Sequence, residues 1–308
     1  MTESRILALS LLLTSLVLRP AVGEEIWNCY TSGGNVADIA LEGDSYVWCV
    51  GSGGAARFDI ETGEKLVWNK ADGLPANSLR CVAVDAKGLK WFSVPQMGVV
   101  KFDGKEWKRL TKSDPGLNNN FVLNIMVDRN DRKWFSTYQG GVCVLDGEDW
   151  TTYTTSNSGL AHDMVSSIAI DKKGRYWFGT YRGAGASVFD GREWVSLGPG
   201  NSGLSDTCIY SVAIDSKDRK WFGSCTEGVS MLDGKTWHNF RKSAGVLPDE
   251  CVRRVFIDKD DRLWAGTSKG GACCYDGKTW TTYDIGSSKI ASNNVKSIAQ
   301  DRKGRIWL

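Results

Sequence analysis

Tyr138 and Gln139, Tyr181 and Arg182, Glu227, and Lys269 sit in the same loop of successive copies of one phrase, and they break its pattern. Tyrosine rings stack on the apolar faces of ring-shaped polar molecules, while amide, guanidinium and carboxylate groups fork onto hydroxyls or a uronate. His162, in a neighbouring loop, adds an imidazole. This chemistry suits recognition of a polar, hydroxyl-rich ligand such as a saccharide. The same residue types also suit ordinary solvated loop tips, and the residues alone leave both readings open.

Chemistry that transforms a substrate finds less support. The chain has two histidines, His162 and His238, and His238 directly follows a repeated tryptophan. Two His without Cys at ligand spacing make no zinc site, and the adjacent Cys273-Cys274 is not such a spacing. No nucleophile elbow, phosphate loop or dinucleotide fingerprint occurs. Asp85, Asp128, Asp171, Asp215, Asp258 and Asp301 recur in step and raise the thought of a calcium array. No turn supplies both a second and a third carboxylate at ligand spacing, so the favoured role of each Asp is bonding the amides of its own turn. The expectation is no enzyme, no metal and no cofactor.

The elements that position these residues follow from the tryptophans. All 14 fall on two ladders. The first is Trp48, Trp91, Trp134, Trp177, Trp221, Trp264 and Trp307; the second is Trp27, Trp68, Trp107, Trp150, Trp194, Trp237 and Trp280. Steps of 43 or 44 residues along the first ladder mark a repeat architecture. One unit reads "VSSIAIDKKGRYWFGT" from Val165, then "GASVFDGREWVSL" from Gly185. Its four β-rich runs are separated by turn residues, and no helical periodicity occurs after the N-terminal segment. Four antiparallel strands per unit is a propeller blade. Adjacent Trp and Phe in the second run point to opposite faces, so both faces must be buried between neighbours.

Six full units begin near Val36, Leu79, Val122, Val165, Ile209 and Val252, and a seventh starts at Val295 and stops inside its second strand. The run 24–31, with Trp27, matches a lone fourth strand. The predicted fold is therefore all-β: a seven-bladed propeller over 24–308 whose last blade, 295–308, is incomplete and shared between the termini. The third strand of that blade has no sequence counterpart. An ending inside a strand leads to the expectation that this chain is part of a longer protein.

Residues 1–23 read differently. A basic Arg5, the apolar run from Ile6 to Leu18, and a small-residue ending at Gly23 predict a cleaved secretory signal, hence a periplasmic or extracellular protein. No other stretch reads as a membrane span. The net charge of +2, from 38 basic and 36 acidic residues, includes no basic arm or acidic tail, which argues against nucleic acid or a membrane surface as partner. In an oxidising compartment nine cysteines leave at least one unpaired. Cys208 and Cys225 face each other across a predicted hairpin and form the candidate disulfide.

The fragments "SSIAIDKKGRYWFGT" from Ser166, "GVSMLDGKTW" from Gly228, and "NSGL" at Asn157 and Asn201 resemble the two-component regulator propeller repeat, over essentially all of 36–308. The first blade departs most, with Glu61-Thr62-Gly63 where later blades have Asp-Gly. The resemblance implies the extracytoplasmic sensor part of a signalling receptor, where a bound ligand, often a glycan fragment, is relayed to a downstream kinase module. Such repeats also occur in exported proteins without a kinase. The expected function is a non-enzymatic sensor propeller that binds a polar ligand. A protein-interaction or surface scaffold is the alternative. A propeller lyase or lactonase, using His162 with Glu227, is the third.

Overall fold

A computed structural model describes residues 14–18, 28–31, 35–114 and 116–308. The repeat folds as its pattern requires. In the fourth unit the runs become Val165–Ile170, Tyr176–Thr180, Ala186–Phe189 and Trp194–Leu197, paired antiparallel in chain order. Five further sheets repeat this arrangement at 36–68, 81–110, 122–153, 209–240 and 252–283. We number these six sheets blades 1 to 6 in chain order. The protein is an all-β propeller of four-stranded antiparallel blades, and among the described residues no helix is long and apolar enough to cross a membrane.

The second strand of each blade carries the core. Trp177 is 3% and Phe178 0% exposed, and their rings leave opposite faces of the sheet. Trp177 reaches Phe222 of the next blade, with centroids 6.0 Å apart, and Phe178 reaches Trp134 of the previous blade at 6.1 Å. The outer tryptophans pack more peripherally. Trp194 stacks on Phe189 at 4.6 Å, against Gly159 of the preceding interblade loop. The repeated Asp-Gly dipeptides make the hairpin before it; Gly191, at φ +100°, supplies the left-handed residue there.

The Asp column has a role its spacing announces. Each Asp lies six residues before an inner Trp and accepts its indole N–H, from Trp91 on Asp85 at 3.0 Å to Trp307 on Asp301 at 3.2 Å. Glu42 serves Trp48 likewise at 2.7 Å in the first blade. Asp171 also accepts the amides of Lys173 and Arg175 and the Arg175 guanidinium. With oxygens engaged in this way, these carboxylates act as internal braces of the turn.

The ring closes through both ends of the chain. A seventh sheet runs, from its outer edge inward, Asn28–Thr31, Thr14–Leu18, Ile306–Trp307 and Ala299–Gln300. Ala299 and Trp307 pack with Ile39 and Phe58 of blade 1, while Ile298 and Ile306 join Trp264 of blade 6. One expectation changes here. The third-strand position, for which the repeat offers no counterpart, is filled by Thr14–Leu18, with Val17 opposite Trp307 and Leu18 opposite Ile306. Asn28–Thr31 stands at the fourth-strand position and pairs with Thr14–Leu18. The physical reason is an open ladder of N–H and C=O groups on Ile306–Trp307, which a short apolar strand satisfies. Thr14–Leu18 belongs to the segment read as a secretory signal; residues 1–13 and 19–23, and Trp27, lie outside the described residues.

Candidate functional site

The first strand of a blade is the innermost, and its sequence begins V-x-S in the fourth unit. Where the third residue is Ser it ties blade to blade: Ser167 Oγ accepts the Val212 amide at 3.1 Å, and Ser211 Oγ accepts that of Val255 at 3.1 Å. The variable residue before it falls in a β-bulge. Register slips between Val36 and Asp38, Val122 and Asn124, Val165 and Ser167, Ile209 and Ser211, and Val252 and Arg254. A bulge leaves one residue unpaired and re-aims its side chain.

Those re-aimed residues meet at the axis. Ala37, Leu123, Ser166, Tyr210 and Arg253 come from bulges; Arg80 and Lys296 occupy the same column in the remaining two sheets. All seven line one cavity of about 300 Å³, together with Asp38, Cys81, Asn124 and Arg254. Below it a second section of about 240 Å³ shares Asn124 and Arg254 and descends between Met126, Ala213 and Phe256.

The mouth is cationic and aromatic. Arg80 Nε donates to the Leu123 carbonyl at 3.3 Å, and its guanidinium lies 5.8 Å from the Phe121 ring. Arg253 donates to Ser268 Oγ at 3.1 and 3.0 Å and lies 5.7 Å from the Tyr210 ring. Lys296 is half-buried, and burial, then the charges of Arg253 and Arg80, push its ammonium below the usual lysine range. Arg254 Nε is buried with no hydrogen-bond partner. Among the described residues no carboxylate comes within ion-pair distance of these four cations. Asp38 is the one acid on the lining, and it accepts from Ser297 Oγ at 2.7 Å and from the Val82 amide at 3.1 Å.

The loops chosen from the sequence surround this mouth. Second loops and interblade loops share one face: the Gly141, Gly185, Gly228 and Gly271 amides each donate at 2.9 Å to the carbonyls of Asp163, Thr207, Glu250 and Asn293. Tyr181 is brought to the axis, its ring 5.4 Å from that of Tyr210. Tyr138 lies 5.6 Å from Phe121, which faces Arg80. Gln139 and Arg182 are exposed at φ 62° and 71°, left-handed backbone that non-glycine residues rarely hold. Lys269 is exposed, its amide held by Asp249 at 2.8 Å.

Two candidates are occupied elsewhere. Glu227 forms an ion pair with Arg241 at 2.7 Å. His162 Nδ1 accepts the Met164 amide at 2.9 Å, the place taken by Asn119, Asp206 and Asp249 in other interblade loops. His238 is exposed on an outer strand. Cys208 and Cys225 meet with their Cα atoms 5.5 Å apart and their sulfurs joined. Sequence reasoning passed over the axial column altogether. Its signal was the varied pair of residues, such as Tyr210-Ser211 and Arg253-Arg254, that follows the aliphatic residue opening each unit.

The model of the two-component regulator propeller matches residues 159–182, 246–269 and 289–308. No curated protein sequence matches the chain. Among solved structures, it resembles the extracellular domain described for a hybrid two-component system of B. thetaiotaomicron, with TM-score 0.75 and 24% identity over 88% of this chain and 37% of the other. A one-component system of the same organism gives TM-score 0.69 and 16% identity over 88% and 40%. Virginiamycin B lyase from Staphylococcus aureus gives 0.70 and 13% over 88% and 93%. At these identities the likenesses establish the fold. The chain spans about two fifths or less of the regulator structures.

Proposed function

From a chain built of two-component regulator propeller repeats, we propose a seven-bladed, exported sensor propeller that binds a polar ligand, such as a saccharide, at its axial mouth without transforming it. The seventh sheet counts as the seventh blade in this reading. The observation that carries it is the bulge column: one residue per blade, varied in chemistry, aimed at a common cavity and ringed by the variable loops. A scaffold that holds its strands constant and varies only what faces a cavity is built for recognition.

The likeness to regulator extracellular domains supports the sensor role and a location outside the cytoplasm. The lyase likeness is the competing signal, and the histidines weigh against it. His162 spends Nδ1 on the backbone, and His238 sits on the blade rim. General acid–base work at the axis would need a titrating group within hydrogen-bond reach of a ligand there.

The test is calorimetry with an oligosaccharide panel on wild type and on the Tyr181→Ala, Arg182→Ala double variant. Loss of a stacked ring and a charge-assisted bond should weaken binding by roughly 2–4 kcal/mol. Equal affinity in the two proteins would move the site off this face. Consumption of the ligand during the titration would favour the lyase reading.

A further inference from the structure

Resting on the axial-mouth reading, we propose that the ligand is an anionic saccharide whose acidic group is seated between Arg80, Arg253, Arg254 and Lys296. Four cations line one small cavity. Like charges held together disfavour one another; the ammonium of Lys296 is lowered first by burial and then by the neighbouring Arg253 and Arg80. A protein that needed these groups only for packing would place a carboxylate among them. The one acid on the lining, Asp38, instead holds Ser297 and the Val82 amide at the contact between blades.

Arg254 marks the floor of the seat. It lines both the mouth and the section below, and its Nε lacks a partner although buried. A buried guanidinium N–H without an acceptor is costly unless something arrives to accept it. A carboxylate or sulfate oxygen fits that need, and a planar carboxylate can take two guanidinium N–H groups at once. Tyr210 supplies a ring face beside Arg253, so the sugar to which the acid is attached has a surface to stack on.

Calorimetry with three tetrasaccharides of equal length decides the matter: a galacturonate, a neutral galactose counterpart and a sulfated galactose counterpart. At least one acidic member should bind about tenfold or more tightly than the neutral one, with affinity falling as salt is raised. A stronger galacturonate signal assigns the seat to a carboxylate, and a stronger sulfated signal assigns it to a sulfate. Lys296→Gln, at the rim of the mouth, and Arg254→Gln, at its floor, should each remove about tenfold of the acidic affinity, a larger loss than either causes for the neutral member. Lys296→Gln keeps the test open if loss of Arg254 perturbs folding.

Equal affinity for neutral and acidic members, or no binding by either acidic one, overturns the proposal. Acidic binding that is lost in Tyr210→Ala but insensitive to both charge variants overturns the anion seat and keeps the axial mouth. Acidic binding untouched by Tyr210→Ala, Lys296→Gln and Arg254→Gln alike overturns both.

Discussion

The ring of Tyr181, at a loop tip, lies 5.4 Å from the ring of Tyr210, the bulged residue of the next blade. Burial first, then the neighbouring Tyr181, pushes the Tyr210 phenol up to about 12, so it remains a neutral donor at physiological pH. Loop and axis thus form one aromatic wall.

For ligand binding, Tyr210→Phe keeps the wall and loses one hydrogen bond, an expected cost of about 0.5–1.5 kcal/mol. Tyr210→Ala removes the stacking surface as well and should cost roughly 1–3 kcal/mol in binding. Calorimetry on both variants orders them. A larger loss in Tyr210→Phe than in Tyr210→Ala contradicts the stacking role.

Acid stability should depend on the turn carboxylates. Burial alone would raise Asp171, but bonds from the Trp177 indole and from the Arg175 amide and guanidinium outweigh it and hold the carboxyl below its ordinary value. Asp128 is lowered in the same way through Trp134 and Arg132. The folded state then binds these protons less readily than the unfolded chain. The stabilisation is whole above the ordinary carboxylate value and drains as pH falls through it toward the depressed native value. Asp171→Asn should cost about 1–3 kcal/mol at pH 7 in denaturant unfolding, and the gap to wild type should narrow in acid. A gap that is constant with pH refutes the linkage.

Two glycines should resist substitution for different reasons. A Cβ on Gly159 would stand 2.4 Å from Trp194 Cβ, so Gly159→Ala must push the outer Trp aside, at an expected cost of about 1–3 kcal/mol. Gly191 meets nothing within 4 Å but holds φ +100°, so Gly191→Ala carries backbone strain alone, about 1 kcal/mol. Denaturation midpoints, with the near-UV tryptophan signal as a packing probe, separate the two. A packing change in Gly191→Ala but none in Gly159→Ala would reverse the assignment.

Ring closure should be sensitive to the N-terminal strands. Asn28–Thr31 pairs with Thr14–Leu18, which in turn pairs with Ile306–Trp307. Protein beginning at Glu24 should melt lower than the full chain and associate through the freed edge of Ile306–Trp307. Removing 24–31 as well should deepen both effects. Size-exclusion profiles and melting curves of the three forms provide the check, and identical behaviour would show that this edge carries no closing role.

The Cys208–Cys225 geometry, with Cα atoms 5.5 Å apart, falls within the span of a disulfide. Non-reducing peptide mapping of protein exported to an oxidising compartment should recover the linked peptides. Cys208→Ser should then cost about 2–4 kcal/mol under oxidising conditions and far less under reducing ones. Recovery of both thiols free from exported protein rules the bridge out.

What the sequence determined by itself is whatever repeats. Trp spacing carried the blade count of six complete units, Asp-Gly the outer hairpin, and the alternation around Trp177-Phe178 the burial of both sheet faces. These are local rules applied at every copy, so one chain shows them several times over. Even the Asp171–Trp177 bond was present as a six-residue interval, unread because its meaning needs the hairpin that folds the interval back. Tertiary structure alone decided the rest. Arg80, Tyr210, Arg253 and Lys296 are separated by up to 216 residues in the chain and share nothing but a column number; only closing the ring brings them to one cavity, and at Tyr210 and Arg253 a bulge turns the side chain toward it. The seventh sheet is decided the same way. Nothing in "TSLVL" names a partner, and it is the unpaired backbone of Ile306–Trp307, at the opposite end of the chain, that gives this stretch a place as a strand.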